Sequence, residues 1–305
     1  MNIAYLISAH TDAPQLARLI RALHADAEFF VHIDRKSDIR PFRRAIDAKN
    51  VHFIGKRTDI RWGTFRQVDY QLSLLEAAIG HSTHFDRIFS LSGLDYPLWS
   101  NHCITQWLEA QGEREILMGY NMNTALLNAQ QRQLYSQYRP LFSLFGNRWD
   151  ARLSILCRRV LTLLGIRRKL HLDVDGKRWA LYKGASWWCI SEELARYIVQ
   201  TCRQHPEIAR YFRHSFGPDE CLPQTIAFNS PLWASKCMLA VGRYPGLDAL
   251  TPLHYIVYDP VIKVMGASDF PALMQSGKMF ARKFRSGASD EVLGMVDAAR
   301  SRVIL

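Results

Sequence analysis

The chain contains no G-x-G-x-x-G and no G-x-x-x-x-G-K-[ST]. These are the glycine patterns that wrap a dinucleotide or a triphosphate at a strand-to-helix turn, so dinucleotide oxidoreductases and P-loop ATPases are disfavoured. There is no C-x-x-C pair either; Cys103, Cys157, Cys189, Cys202, Cys221 and Cys237 stand singly. Scattered cysteines argue against a zinc site and against a secreted disulfide scaffold, and they read as reduced thiols of a cytoplasmic protein. No apolar run approaches the ~20 residues needed to cross a bilayer. The chain enters a strand at Asn2 to Ser8, without the basic start, apolar run and cleavage site of a secretory leader. Internal repeats, low-complexity tracts and a clear linker are also missing, so a single domain over residues 1–305 is expected.

What is present is an ordinary globular composition, 48% hydrophobic and 22% charged over 305 residues, with a formal net charge of +11. That excess of cations implies an anionic partner, which composition alone leaves open among nucleic acid, an anionic lipid surface and phosphorylated substrates. The basic residues are spread over many segments and no RNA-recognition motif stands out, so nucleic acid is the least favoured.

The first hundred residues alternate strand-like and helix-like runs: Ile3 to Ser8, Ala13 to His24, Phe29 to Asp34, Ile39 to Ala48, Val51 to Ile54, Phe65 to Gly80 and Ile88 to Ser92. Such alternation predicts an α/β fold with parallel strands and crossover helices. Val68, Leu72, Leu75 and Ile79 recur at helical spacing and read as core. Further helices are expected at Glu192 to Gln204, Glu207 to His214, Asp219 to Phe228 and Asp290 to Arg302, with a strand over Ala185 to Ile190.

The strands end in polar residues: Ser8-Ala9-His10, then His32-Ile33-Asp34-Arg35-Lys36-Ser37, then Ser90-Leu91-Ser92-Gly93-Leu94-Asp95-Tyr96-Pro97. Ligands of open α/β sheets bind beyond the carboxyl ends of strands. The last turn offers hydroxyls, a carboxylate, a phenol and a glycine that permits close approach, equipment suited to a polyhydroxylated ligand; a turn merely stiffened by Gly93 and Pro97 is the plainer reading. Pro218-Asp219-Glu220 sets two acids at a helix start, where they are favourable in any case. One of them suffices as a general base for a sugar hydroxyl. Phe280-Ala281-Arg282-Lys283-Phe284-Arg285 places three cations between aromatic anchors, either a solvated basic turn or the group that neutralises a departing diphosphate. Adjacent Trp187 and Trp188 should face opposite sides of a strand, one to the core and one to a sugar ring. The D-x-D at Asp173-Val174-Asp175 can hold a metal on a diphosphate, but it also spells a turn before Gly176.

From Gln130 to Lys183 aromatic and basic residues interleave, including Tyr135, Tyr138, Arg139, Phe142, Phe145, Arg148 and Trp149. Leu153 to Lys169 then reads as a basic amphipathic helix, which fits either an anionic membrane surface or a buried helix with a cationic end.

Taken in order, Ala4 to His10, Val31 to Ser37, Ile60-Arg61-Trp62-Gly63, Ser90 to Leu98, Gly184 to Trp188, Pro218-Asp219-Glu220 and Phe280 to Phe284 resemble the family of core-2/I-branching β-1,6-N-acetylglucosaminyltransferases and peptide O-xylosyltransferases, glycosyltransferase family 14. The resemblance implies a GT-A type nucleotide-sugar-binding fold, with a mostly parallel central sheet flanked by helices. Residues 1–120 would form its nucleotide-binding half and 121–305 its acceptor and catalytic half. It implies inverting transfer from a UDP-sugar, N-acetylglucosamine or else xylose, to a glycan or lipid-linked glycan acceptor in surface polysaccharide synthesis, with no metal or other cofactor. Glu220 would be the base and Lys283 would stabilise the leaving UDP. Ala9, His10, His32, Asp34, Lys36, Trp62, Gly63, Ser92, Asp95 and Arg282 would hold the donor, while Tyr96, Ser186, Trp187, Trp188 and Asp219 would shape the sugar and acceptor pockets. The family's second diphosphate-binding arginine is missing; His254 stands near its place as a further donor-binding residue, so that His254 or Lys263 substitutes for it or the leaving group is stabilised differently. The lack of an N-terminal anchor and of disulfides is that of a small bacterial-type member, cytoplasmic and at most peripheral on the inner face of the membrane. A non-catalytic glycan- or nucleic-acid-binding protein is the alternative from another class.

Overall fold

A computed structural model describes residues 1–139, 147–258 and 261–302; Phe142, Phe145 and the side chain of Arg148 in the aromatic-basic tract lie outside it. Seven elements form in the expected order: β1 (Ile3–Ala9), α1 (Ala13–Ala22), β2 (Glu28–Ile33), α2 (Arg40–Ala45), β3 (Val51–Phe53), α3 (Arg66–Ile79) and β4 (Arg87–Ser92). β1 pairs in parallel with both β2 and β4, β2 pairs in parallel with β3, and a late strand, Cys189–Ile190, closes the β4 edge antiparallel. Four parallel strands and one antiparallel edge, flanked by helices, make the expected mostly parallel α/β sheet.

Because successive strand residues point to opposite faces, β1 feeds two cores. Ala4 and Leu6 pack with Val68 and Leu75 of α3, Trp188 and Ile198. Ile3, Tyr5, Ile7 and Ala9 pack with Leu16 and Leu19 of α1 and with Ile104 of α4 (Asn101–Gln111). Burial on both faces explains why these strands read as nearly continuous apolar runs. Asp12 caps α1 by accepting from the Gln15 amide, and Ser100 caps α4 by accepting from that of Cys103.

Two small three-stranded sheets carry the rest. β5 (Asp95–Pro97) pairs antiparallel with Phe280–Arg282, which runs parallel to His254–Ile256. β6 (Met118–Asn121) lies between Tyr182–Lys183 and Met238–Ala240. These sheets bring chain segments more than a hundred residues apart to the carboxyl ends of β1 and β4. The expected strand from Ala185 is shorter, starting at Cys189, and the expected helix from Asp219 divides into a single 3-10 turn, Pro218–Glu220, and a helix, Leu222–Phe228. Asp173 and Asp175 sit on the hairpin His171–Val174/Lys177–Ala180, where Asp175 and Gly176 both take positive φ, the geometry of a tight hairpin turn. None of the six cysteines is in a disulfide. Among the described residues no helix is long and apolar enough to cross a membrane.

Candidate active site

Glu220 ends the turn that Gly217 opens in left-handed backbone, φ 49°. Its Oε2 accepts from the Lys183 Nζ at 2.6 Å, with the lysine side chain 4% exposed and the glutamate 24%. The main chains lock as well, since the Gly184 amide donates to the Glu220 carbonyl at 2.8 Å. Gly184 has no alternative residue here: a Cβ would fall 2.0 Å from the Met118 carbonyl oxygen. Burial alone would push the Lys183 ammonium down, yet the Glu220 carboxylate beside it holds it well above the usual lysine value. Lys183 is therefore a cation at any physiological pH, and it fixes one oxygen of Glu220.

Asp219 faces the other way. Its Oδ2 accepts from Ser186 Oγ at 2.6 Å and from Gln67 Nε2 at 2.9 Å. Burial, reinforced by the negative charge of Glu220, pushes its carboxyl up to about 7. Gln67 also accepts from the Gly63 amide through its Oε1, so one glutamine ties the Trp62-Gly63 loop to the acidic turn. Trp62 is 80% exposed and meets Phe216 edge-on at 5.7 Å. Phe216 in turn meets Tyr135 at 5.8 Å, so an aromatic wall stands beside Glu220.

On the opposite side, Asp95 is wholly buried and serves as an organiser. It accepts from the Ser92 amide at 2.7 Å, is bonded to the His254 Nε2 at 3.2 Å and lies 3.6 Å from the Arg282 guanidinium. Arg282 lies over the Trp187 ring, 4.7 Å from its centroid. Next to it, Lys283 is half-buried with no carboxylate within ion-pair distance among the described residues. Burial, with Arg285 and Arg282 close by, holds its ammonium below the ordinary lysine value. Arg282 and Arg285 likewise act on His10, which burial first holds below its ordinary value. The cationic segment therefore meets the end of β1.

The two sides border one crevice. Ser186, bonded to Asp219, and Trp187, beneath Arg282, are consecutive residues. Burial lifts the Tyr258 phenol, Glu220 adds to the lift and Arg282 opposes it. Burial likewise lifts the Tyr70 phenol, which stands beside His32; Asp219 adds to the lift, with Ser8 and Arg282 opposing. Lys183, Gln67 and Tyr70 were not expected from the sequence, although Lys183 directly precedes the Gly184 to Trp188 motif.

Several expected ligand contacts are instead structural. Tyr96 is 1% exposed and donates its hydroxyl to Asp297 at 2.7 Å, away from the crevice, while Trp188 is 1% exposed inside the core. Trp187 alone of the tryptophan pair reaches the site. Gly93 makes its close approach to Ala9, whose Cβ is 2.7 Å from where a glycine Cβ would stand, and Ala9 is itself buried. His32 is buried, accepts from the Thr58 amide at 2.8 Å, and is pushed by burial down to about 4, so it is a neutral ring beside Tyr70. Asp34 accepts from the Lys36 amide, and Lys36 Nζ clamps Asp34 and Asp59 together, which leaves both in loop architecture. Neither stand-in for the second arginine is free: His254 is buried between Trp187 and Phe280, and Lys263 pairs with Asp269 at 2.6 Å. Ser92 and His10 remain accessible at the strand ends. Asp173 and Asp175 make their nearest ion pairs with Arg178 and His205, not with crevice residues.

A β-1,3-galactosyl-O-glycosyl-glycoprotein β-1,6-N-acetylglucosaminyltransferase 3 of Bos taurus is 21% identical over 317 residues, covering 95% of this chain and 66% of its own length. The corresponding β-1,6-N-acetylglucosaminyltransferase of Homo sapiens is 22% identical, covering 92% of this chain and 65% of its own. Xylosyltransferase 2 of Mus musculus is 24% identical, covering 97% and 33%. The chain thus spans 66% or less of the length of these relatives. Among solved structures, an active-site mutant of LgtC (10% identity, 99% of this chain and 96% of that one, TM-score 0.42) and apo mouse xyloside xylosyltransferase 1 (11%, 92% and 97%, TM-score 0.34) are similar too distantly to bear on the site. A family model described as Core-2/I-Branching enzyme matches residues 3–245, and the chain belongs to that family.

Proposed function

We propose that this chain is an inverting glycosyltransferase that moves a sugar, first of all N-acetylglucosamine, from a UDP donor to a hydroxyl of a lipid-linked glycan in surface polysaccharide assembly, without a metal. One observation supports it above the rest: the crevice has a partly exposed carboxylate, Glu220, on one side and on the other a cationic segment whose Lys283 ammonium has no carboxylate within ion-pair distance among the described residues. Glu220 takes the proton of the acceptor hydroxyl as its oxygen bonds to the anomeric carbon. The bond from that carbon to the diphosphate breaks on the far side, and the electron pair leaves with UDP. Charge grows on the diphosphate where Lys283, Arg282 and Arg285 can neutralise it, the role a divalent ion takes in other enzymes. Attack from one face with departure from the other inverts the anomeric centre. Xylose is the second donor, favoured by the xylosyltransferase relatives.

The test is turnover of a panel of UDP-sugars with and without EDTA, on the wild type and on Glu220→Gln. The expected outcome is EDTA-insensitive turnover of one donor, lost by about 10²–10⁴-fold in Glu220→Gln, with UDP binding retained. Turnover that disappears on chelation overturns the metal-free reading, and full activity in Glu220→Gln overturns the assignment of the base.

A further inference from the structure

The helix Asn147–Leu163 carries an apolar seam on its outer face. A helix on a globular protein ordinarily sets its apolar stripe against the core. Here Trp149, Leu156, Val160 and Leu163 are exposed, Leu163 at 86%, and Leu164 and Ile166 continue the patch beyond the helix. At 3.6 residues per turn, Trp149, Leu156, Val160 and Leu163 fall within about 60° of arc, so they form one seam. The inner side sets half-buried Leu153, Cys157 and Leu161 beside Asp150, which is a quarter-turn from that seam and 2% exposed.

The charges around the seam have one sign. Between Asn147 and Lys169 the only acid is that buried Asp150, whereas Arg152, Arg159, Arg167 and Lys169 are exposed. A hollow lined by Arg139, Arg158, Arg159 and Leu163 adjoins the seam. Exposed apolar area with a purely cationic border fits a surface that is apolar inside and anionic outside. A second copy of the same face would set arginines against arginines and is disfavoured on that ground. The hollow also adjoins the active site, because the Arg139 guanidinium lies 4.1 Å from the centroid of Phe216, in the aromatic wall beside Glu220.

We infer that this helix lies in the interface of an anionic bilayer, apolar seam in the headgroup region and arginines on lipid phosphates, which sets the Glu220 side of the crevice toward the membrane. The part concerning a membrane-borne acceptor rests on the proposed function; the docking does not. Purified protein is sedimented with vesicles of phosphatidylcholine alone and of phosphatidylcholine with phosphatidylglycerol, at low and high salt. Retention is expected on the anionic vesicles only and should weaken with salt. Two variants, Leu156→Ser/Val160→Ser/Leu163→Ser and Arg152→Glu/Arg159→Glu, should each lose at least about tenfold in partitioning. Turnover of a soluble acceptor without vesicles should stay at the wild-type level in both, which separates failure of docking from failure of the chemistry. Equal retention on neutral vesicles, unchanged retention of either variant, or a wild-type dimer that the serine variant dissolves while vesicles hold neither protein overturns the inference.

Discussion

Glu220 and Lys183 can be separated energetically by substitution, because the two partners differ in burial. Replacing Glu220 by alanine leaves an ammonium that is 4% exposed, with the Gly184 carbonyl 3.2 Å away and the Tyr135 ring 5.7 Å from it but no carboxylate partner among the described residues. A buried charge stripped of its partner costs about 3–5 kcal/mol. Replacing Lys183 by methionine leaves a carboxylate that is 24% exposed and can recruit water, so the cost is smaller, about 1–3 kcal/mol. The double variant has neither orphan charge and should recover part of the loss. Equilibrium urea unfolding of the four proteins gives the coupling energy, expected above about 1 kcal/mol and opposite in sign to the single losses. Activity should follow a different order. Lys183→Met retains the base but frees its geometry, whereas both Glu220 variants should lose turnover by about 10²–10⁴-fold. If the single-variant losses simply add in the double variant, the pair is not a coupled unit and the account of how Glu220 is held fails.

Asp219 gives a pH signature. Its folded value of about 7 lies above the ~3.9 of an unfolded aspartate. Between those values the folded protein keeps a proton that the unfolded chain has released, so stability falls as pH rises; Asp219→Asn should flatten the urea midpoint between about pH 4 and 7, and an unchanged slope would refute it. Gly93→Ala should cost about 1–3 kcal/mol by overpacking, since the new methyl would lie 2.7 Å from the Ala9 Cβ, and a thermal melt equal to wild type would show that this wall yields. Arg282→Met and Lys283→Met should both weaken donor binding measured by calorimetry. Only Arg282→Met should also lower the melting temperature, because it removes the cation beside buried Asp95, and equal melts would put Arg282 outside that network.

Most of the parallel half of the fold was legible in the sequence because β1, β2 and β4 are six or seven residues long and buried on both faces. The expected and observed bounds of β1, β2 and α3 differ by only a residue or two. The two small sheets were not legible, since strands of two to four residues such as Tyr182–Lys183 carry no period to read. Glu220 and the cationic segment stood out by residue type and motif. Lys183 did not, as its partner is 37 positions away and a lone lysine before a glycine looks like surface. The polar turn after β4 misled in a specific way: Asp95 and Tyr96 have the right chemistry for a sugar, but they spend it on Arg282, His254 and Asp297. Sequence shows which groups can bond, and only the fold shows which have already done so.

The late edge strand constrains how this molecule can be made. Cys189–Ile190 pairs with Phe89 and Ile88, so the ladder beside β4 stays open on a nascent chain until about a hundred further residues have left the ribosome. During that interval an apolar strand presents unpaired amides and carbonyls, a template for adhesion to neighbouring chains. A fragment stopping short of Cys189 should accordingly precipitate, and adding the missing piece in trans should rescue its solubility.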